Sequence, residues 1–419
     1  MSTAPPEITA TVRPARSVAR SAAWQRRLAC CGHHPPRPGT AGDDPTVGDR
    51  RALLAGFTVG VVSHRRRHPL ADLLERHGAR VVSVQGVRAV PQPDPDAVRR
   101  ATATIGGPLD EAALGGPLDD VVAATAGGVR AWLHAAPDPD RLLALFRSAR
   151  LLAADARTAD ALRASGLRDI QSTAAGGVDD LLRYLLTHQP AGRRIAVQLD
   201  EPGRAEAGQA LRIHGADVVE VPTYVTSPPN DVVGVRRIVE LMSRRQLDAV
   251  AWLDPDAAGH VLRFAAEHRR LPAVLAQLGP HVPAVCRGPL AAAVLSRYGV
   301  TASIAPMPFD EETAALLGRS VLERTVNATV DGHALEVRGF AALFDGRLYP
   351  IQQGPIDVLR ALAREPGQVL SPAELRRLVP GLAEVDDHAI EMAVSRLRRA
   401  LPGLDLVQTV IKRGYRLAV

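Results

Sequence analysis

Basic side chains are concentrated near the C-terminus of this 419-residue chain. Residues 391–419 carry two acidic side chains, Glu391 and Asp405, and six basic ones, namely Arg396, Arg398, Arg399, Lys412, Arg413 and Arg416. Guanidinium and ammonium groups pair with phosphate oxygens, and clustering of this kind is typical of a nucleic-acid-binding surface. The pattern predicts double-stranded DNA as a partner.

The first of the two basic segments has the period of an amphipathic helix over residues 387–401. Its predicted core face, at i, i+4, i+7 and i+11, consists of Ile390, Val394, Leu397 and Leu401. The opposite face, which would enter a major groove, carries His388, Met392, Ser395, Arg396 and Arg399. Arg398 borders the core face, a position better suited to a phosphate contact.

The second basic segment, residues 407–419, predicts a β-hairpin with Lys412 and Arg413 at its tip. Gly414 permits the tight turn, and Tyr415 is expected to pack under it. A protein-docking domain with ordinary surface arginines is the alternative. The combination of helix, spacing and terminal Gly-Tyr-Arg favours DNA binding.

The sequence from residue 325 to the basic helix also predicts secondary structure. Asp331-Gly332 and Asp345-Gly346 each separate short alternating apolar runs, which predicts two hairpins. Helices are predicted over 355–364 and 371–378, the second with Ser371 as N-cap, Pro372 in the first turn and Glu374 closing a capping box. Residues 325–419 resemble an OmpR-type winged-helix DNA-binding domain. The receiver domain usual in that class is not evident, so phosphorelay control is not expected.

Composition indicates a globular protein and argues against a membrane or disulfide-rich one. Apolar content is 46% and charged content 23%, as in ordinary globular domains. No apolar run approaches the roughly 20 residues that span a bilayer, and no secretory signal is recognisable, so we expect a cytoplasmic protein without a membrane partner. Three cysteines cannot form a disulfide framework.

Residues 1–50 are rich in Pro, Arg, Ala and Gly, which predicts a disordered leader. Cys30, Cys31, His33 and His34 within it have side chains that suit zinc. Their spacing is not that of a known zinc finger, so a disordered basic tail is favoured and no metal is predicted.

An internal repeat marks the region between leader and C-terminal domain. His77-Gly-Ala-Arg-Val-Val82 recurs as His214-Gly-Ala-Asp-Val-Val219, and Leu118-Asp119 is matched by Leu247-Asp248. Each half alternates β-branched runs with helical stretches, which predicts an α/β fold with duplicated parallel sheets. We expect a two-lobed body over 51–322, with lobe A at about 51–90 and 225–322 and lobe B at about 91–224. A ligand site would lie in the cleft, beyond the carboxyl ends of the strands.

This body resembles uroporphyrinogen-III synthase, and its fusion to a winged helix resembles an actinobacterial arrangement. The matching stretches are Asp119–Trp132, Ala156-Arg-Thr-Ala159, Val219–Tyr224 and Gly288-Pro289. The resemblance implies a lyase that cyclises hydroxymethylbilane without a cofactor. It also implies substrate contacts at Thr125, Gly127, Gly128 and Val129, with Thr158 opening the next helix, and a cleft tyrosine, Tyr224, that helps the hydroxyl leave.

Three departures from the synthase pattern count against full activity. The family usually has Gly where Asp155 stands, Thr-Ser where Trp252-Leu-Asp254 stands, and Thr where Leu290 stands. Acidic residues at such positions would repel a substrate that bears eight carboxylates.

Three hypotheses follow. The first is a transcription regulator in which the synthase-like body senses a tetrapyrrole or other small molecule, or serves as a scaffold, and the winged helix binds DNA as a homodimer. The second is an active uroporphyrinogen-III synthase with an attached DNA-binding domain. The third is a two-lobed sugar or amino-acid sensor like the periplasmic-binding-type repressors. Those carry their DNA module at the N-terminus, which argues against the third.

Overall fold

The computed structural model describes residues 53–92, 94–105, 117–172, 177–201, 204–379 and 386–419. The predicted leader, with Cys30, Cys31, His33 and His34, lies outside the described residues.

The body consists of short strands that alternate with helices. Its described strands are β1 Thr58–Ser63, β2 Arg80–Gln85, β3 Arg88–Pro91, β4 Asp120–Ala123, β5 Arg150–Ala153, β6 Ile170–Ser172, β7 Arg194–Leu199, β8 Asp217–Pro222, β9 Tyr224–Ser227, β10 Ala249–Trp252, β11 Ala284–Cys286 and β12 Ser303–Ile304. Its described helices are α1 Pro69–Arg76, α2 Pro95–Ile105, α3 Ala126–Ala135, α4 Pro139–Ser148, α5 Ala156–Ala164, α6 Gly177–Thr187, α7 Arg204–Ile213, α8 Val233–Ser243, α9 Pro255–Glu267, α10 Leu271–Gln277, α11 Pro289–Ser296 and α12 Asp310–Leu322.

Two parallel sheets define two lobes. One sheet has the order β12-β11-β10-β1-β2, and the other has the order β6-β5-β4-β7-β8. Every residue of β1, β4 and β7 is buried, as expected for strands covered on both faces by helices. The predicted mixed α/β class with parallel sheets is confirmed.

The internal repeat corresponds to repeated local structure. In both copies a helix, α1 or α7, is followed two residues after its end by a glycine with positive φ, Gly78 at 90° or Gly215 at 86°, and then by an edge strand. Asp248 and Asp119 also play the same part, since each accepts a 2.7 Å hydrogen bond from the backbone N–H of the neighbouring strand, at Thr58 and Arg194. The repeat therefore encodes the turn and the start of the strand pair in each lobe.

The two lobes are joined by an antiparallel pair of short strands. Strand β3 pairs with β9 from Arg88 opposite Ser227 to Pro91 opposite Tyr224. The chain enters the second lobe through β3 and returns through β9, so Tyr224 lies on the connection between lobes.

The C-terminal domain is built from antiparallel strands and three described helices. Its elements are β13 Val326–Val330, β14 His333–Val337, β15 Ala341–Phe344, β16 Arg347–Pro350, α13 Gln353–Ala363, α14 Pro372–Leu378, α15 Asp387–Ala400, β17 Val407–Val410 and β18 Gly414–Leu417. The four-stranded sheet runs β13-β14-β15-β16, and β17-β18 form the wing.

Turn and cap chemistry in this domain follows the sequence prediction. Asp331-Gly332 and Asp345-Gly346 have positive φ at both positions, which matches the right-handed twist of the hairpins they join. Ser371 and Glu374 form the predicted reciprocal capping box at the start of α14. The predicted core face of α15 is buried, with Ile390, Val394, Leu397 and Leu401 each at most 2% exposed.

The C-terminal domain packs against the first lobe. Phe340 N–H donates to Gly56 O at 2.7 Å, and Arg338 Nη1 donates to Ala55 O at 3.1 Å. A side chain on Gly56 would collide with Ala341, because an added Cβ would lie 2.9 Å from the Ala341 Cβ.

Candidate functional site

Contacts between the two lobes come from the carboxyl ends of their strands. His64 follows β1, and its Nε2 lies 3.0 Å from Glu201 Oε2, just beyond β7. Its Nδ1 lies 3.4 Å from Asp254 Oδ2. Burial lowers the pKa of His64, but hydrogen bonds with Asp254 and Glu201 outweigh it and leave that pKa raised. His64 thus connects the end of β1 to the end of β7 across the cleft, and Arg65 is a second partner of Glu201.

Glu206 makes a second link between the lobes. The side chain projects from α7 and is 0% exposed. Its Oε2 accepts a hydrogen bond from Leu290 N at 3.0 Å, and its Oε1 accepts one from Ala291 N at 2.7 Å. Those are first-turn amides of α11 in the other lobe, where the helix dipole favours a negative charge. A carboxylate of the chain itself therefore occupies the helix N-terminus at Gly288-Pro289.

Asp155 and Asp254, the two acidic residues that differ from the synthase pattern, are also helix N-caps. Asp155 Oδ1 accepts from Thr158 N at 2.7 Å, and Asp254 Oδ1 accepts from Ala257 N at 2.9 Å. Asp254 is 0% exposed and also accepts from His64 N at 3.0 Å. Together with Glu206, three carboxylates of the chain itself thus accept hydrogen bonds from first-turn amides of helices in the body.

The predicted turn at Thr125 is present and partly open. Thr125 caps α3, with its Oγ1 accepting from Gly128 N at 3.1 Å and from Gln198 Nε2 at 3.2 Å. Gly128 has no room for a side chain, because an added Cβ would lie 1.7 Å from Gln198 Nε2. Gly127 is exposed, and an added Cβ would meet nothing within 4 Å.

Two residues of the predicted substrate set, Val129 and Thr158, are buried. Val129 is 2% exposed, and its N–H donates to Thr125 O within the helix. Thr158 was expected to open its helix, but Asp155 caps α5 and the helix begins at Ala156. Thr158 is thus the third residue of the helix, its hydroxyl is buried without a hydrogen-bond partner in the described residues, and its substrate contact stays a prediction.

Tyr224 is half-buried among acidic groups. Burial raises the pKa of its hydroxyl, and the charges of Asp256, Asp254, Glu220 and Asp200 raise it further. The phenol therefore stays protonated near neutral pH and keeps its O–H as a hydrogen-bond donor. The same acidic surroundings disfavour a polyanionic ligand.

The winged helix presents most of the predicted DNA-contacting residues together. On α15, His388, Ser395, Arg396 and Arg399 are exposed and Met392 is half-buried. At the wing tip, Lys412 and Arg413 are exposed, and Gly414 has a φ of 136°. No ion pair involves Arg396, Arg399, Lys412 or Arg413 anywhere in the described ranges.

Arg398 has a different environment from the one expected. Its Nε and Nη2 donate to Val407 O at 3.0 and 2.8 Å, and Nη2 also donates to Thr409 Oγ1 at 2.8 Å. The guanidinium is engaged within the domain because α15 packs against β17. It joins helix to wing, and a phosphate contact by Arg398 stays a prediction.

Sequence reasoning missed the residues that join the lobes. Glu206, His64 and Glu201 were not singled out, and neither was Arg287, which is 4% exposed and pairs with Asp310 of its own lobe at 2.5 Å. One sequence feature could have pointed to two of them. His64 and Glu201 are 137 residues apart, as are His77 and His214 of the repeat, so they occupy equivalent positions in the two halves. The described residues contain no cluster of His, Cys, Asp and Glu that could hold a metal, and no helix among them could cross a membrane.

A duplicated α/β body followed by a winged helix defines a class in which a ligand-binding or catalytic body is joined to a nucleic-acid-binding domain. The chain belongs to the uroporphyrinogen-III synthase family, since the family described as "Uroporphyrinogen-III synthase HemD" matches residues 68–315. A second family, "Transcriptional regulatory protein, C terminal", matches residues 348–417. The resemblance of both parts is thereby confirmed. The search of curated proteins gave no match.

Solved structures give matches to both parts. Uroporphyrinogen III synthase from Thermus thermophilus is 23% identical, with 64% of this chain and 99% of that chain covered and a TM-score of 0.32. Uroporphyrinogen-III synthetase from Helicobacter pylori is 13% identical, covers 62% and 97%, and has a TM-score of 0.27. The DNA-binding domain of CpxR from E. coli is 35% identical, covers 22% of this chain and 95% of that chain, and has a TM-score of 0.19.

Proposed function

We propose that this protein is a DNA-binding transcription regulator whose synthase-like body acts as a sensor or scaffold. One observation carries the proposal. Arg396 and Arg399 on α15 and Lys412 on the wing are exposed and have no carboxylate partner within the described residues. Three cations left unpaired on one small domain suit a polyanion such as the DNA backbone.

The sensor or scaffold role is supported by the carboxylates that already occupy helix N-termini in the body. Glu206, Asp155 and Asp254 hold helix N-termini that a polycarboxylate substrate would need. Displacing them requires a ligand that binds more strongly than the internal carboxylates. Slow or absent turnover is the expected consequence, with a tetrapyrrole or another small molecule as the ligand class.

The DNA-binding part is tested by the salt dependence of affinity for a duplex. Removal of one phosphate-binding cation flattens the log–log slope by about 0.9. We expect Lys412→Ala to flatten it by about that amount, measured by fluorescence anisotropy on the full chain. Arg347→Ala, which removes an exposed cation from β16 beside Tyr349, serves as the control and should leave the slope unchanged. Equal slopes for wild type and Lys412→Ala would remove Lys412 from the phosphate contacts.

An active synthase is the second candidate, favoured by the open turn at Gly127 and by the position of Tyr224 on the connection between lobes. Turnover of hydroxymethylbilane by the full chain separates the two functions. We expect only the type I isomer that forms spontaneously. Type III product at enzyme-like rates, reduced in Tyr224→Phe, would establish the synthase instead.

We further propose a homodimer on repeated DNA half-sites in the cytoplasm. The proposal for the body involves no cofactor or metal, because hydrogen-bond donors and helix N-termini are sufficient to hold carboxylates.

A further inference from the structure

A cavity of about 250 Å³ lies where the C-terminal domain meets the first lobe. Five arginines line it. Arg245 and Arg324 come from the body, whereas Arg338, Arg360 and Arg364 come from the C-terminal domain. Five arginines contributed by both domains are not needed to hold the two domains together.

The positive charge of the cavity is only partly neutralised. Arg338 pairs with Glu336 at 2.8 Å, and Arg360 pairs with Asp357. Arg245, Arg324 and Arg364 have no ion pair with any described carboxylate. Three guanidinium groups thus remain available to an external anion.

Asp248 is the one carboxylate among the described residues of the lining. One of its oxygens accepts from Thr58 N at 2.7 Å. Burial raises the pKa of Asp248 to about 7, against the lowering effects of the Thr58 N–H and Arg360. Near neutral pH this group is therefore partly protonated, so it neutralises at most one of the five positive charges.

We propose that this cavity is a binding site for a small polyvalent anion that bears phosphate-type or carboxylate groups. Arginine presents donors in a fork that matches both kinds of oxygen pair. The volume is below the roughly 300–1,000 Å³ typical of pockets for larger organic ligands, so a compact anion fits and a tetrapyrrole does not. Arg245, Arg324 and Arg364 are its principal contacts.

The position of the site gives it a consequence for DNA binding. A ligand held by Arg245 from the body and Arg364 from the C-terminal domain stabilises the arrangement in which these domains are packed together. Occupancy then biases the orientation of α15 and the wing relative to the body.

The test is calorimetric titration of the full chain at low ionic strength with pyrophosphate and, separately, with citrate. We expect saturable one-to-one binding of at least one of them. Binding of pyrophosphate alone would identify phosphate-type ligands, and binding of citrate alone would identify carboxylates. Arg245→Gln and Arg364→Gln should each weaken binding about tenfold, the loss expected for one charge-assisted hydrogen bond.

Two controls keep the assignment specific. Arg244→Gln changes an exposed neighbour outside the lining, and Arg399→Gln changes the DNA-facing helix; both should bind the anion like wild type. The unfolding midpoint without anion should be the same in all variants. Absence of saturable binding for both anions overturns the proposal, as does an equal loss in Arg399→Gln, which would place the anion on the DNA-binding face.

Discussion

Three carboxylates of the chain occupy helix N-termini in the body. Glu206 spans the lobes and satisfies two amides of α11, while Asp155 and Asp254 satisfy their own helices. Each of these contacts combines a hydrogen bond with a favourable helix dipole, worth about 0.3–1 kcal/mol and up to about 2 kcal/mol when partly buried. An incoming carboxylate competes with each of them.

Base-reading residues on α15 give the first prediction at this scale. On a duplex selected from random sequence, Arg396→Ala or Arg399→Ala should each cost about 1–3 kcal/mol of binding free energy through loss of a bidentate base contact. Arg297→Ala, an exposed arginine of the body, is the matched control and should bind like wild type. Wild-type affinity in both α15 variants would show that these arginines do not read bases.

Asp248 gives a prediction about pH. Its pKa of about 7 in the folded chain lies above the ordinary value, so the native state holds a proton that the unfolded chain releases between about pH 4 and 7. The contribution of Asp248 to stability therefore falls as pH rises through this window. Urea unfolding of Asp248→Asn at several pH values should show a flatter dependence than wild type. Asp119→Asn controls for the loss of the equivalent backbone contact in the other lobe. An identical pH dependence for Asp248→Asn and wild type would contradict the raised pKa.

Among the elements, the wing depends on close approach between backbones. Gly414 has a φ of 136°, and an added Cβ would lie 2.1 Å from Leu370 O, at the bridge that joins Leu370 to Tyr415. The wing is thereby fixed to the segment before α14, and Arg398 fixes it to α15. Its basic tip is positioned by these two attachments.

The wing prediction compares two glycines. Gly403 also has a positive φ, of 79°, but an added Cβ there would meet nothing within 4 Å. Gly403→Ala should cost about 1 kcal/mol of unfolding free energy through backbone strain alone. Gly414→Ala should cost more, because it adds a collision with backbone, and should also weaken duplex binding. Equal losses in thermal unfolding would refute the close approach.

In the whole molecule, one set of contacts joins the two lobes and another joins the C-terminal domain to the body. The lobes are joined by Glu206, by His64 with Glu201, and by Arg183 with Glu311 and Glu312, whereas the C-terminal domain is attached through Arg338 and Phe340.

The closure prediction uses uroporphyrin III, a stable octacarboxylate, as probe. Glu206→Gln removes the internal negative charge from α11, so binding of the probe should strengthen by about 1 kcal/mol. Glu311→Gln, which also removes a carboxylate that links the lobes but away from this helix, is the matched control. Fluorescence titration measures both. Unchanged affinity in Glu206→Gln would indicate that α11 is not part of the ligand site.

Much of the architecture is determined by local sequence. Asp-Gly pairs specify the two hairpins, Ser371 and Glu374 specify a helix start, and the spacing of apolar residues on α15 specifies its buried face, because each depends on neighbours a few residues apart. The repeat at His77 and His214 likewise indicates two similar lobes, since turn and strand chemistry recurs with it.

Only the tertiary structure decided which distant charged residues meet in the cleft and in the cavity. Glu206 meets Leu290 across 84 residues, and His64 meets Glu201 across 137. The arginine-lined cavity likewise unites Arg245 with Arg364 from separate domains. Such pairings depend on how lobes and domains pack, and an acidic or basic residue has the same local signature whether it caps a distant helix or faces water. Sequence therefore determined which elements form, and packing determined which charges they bring together.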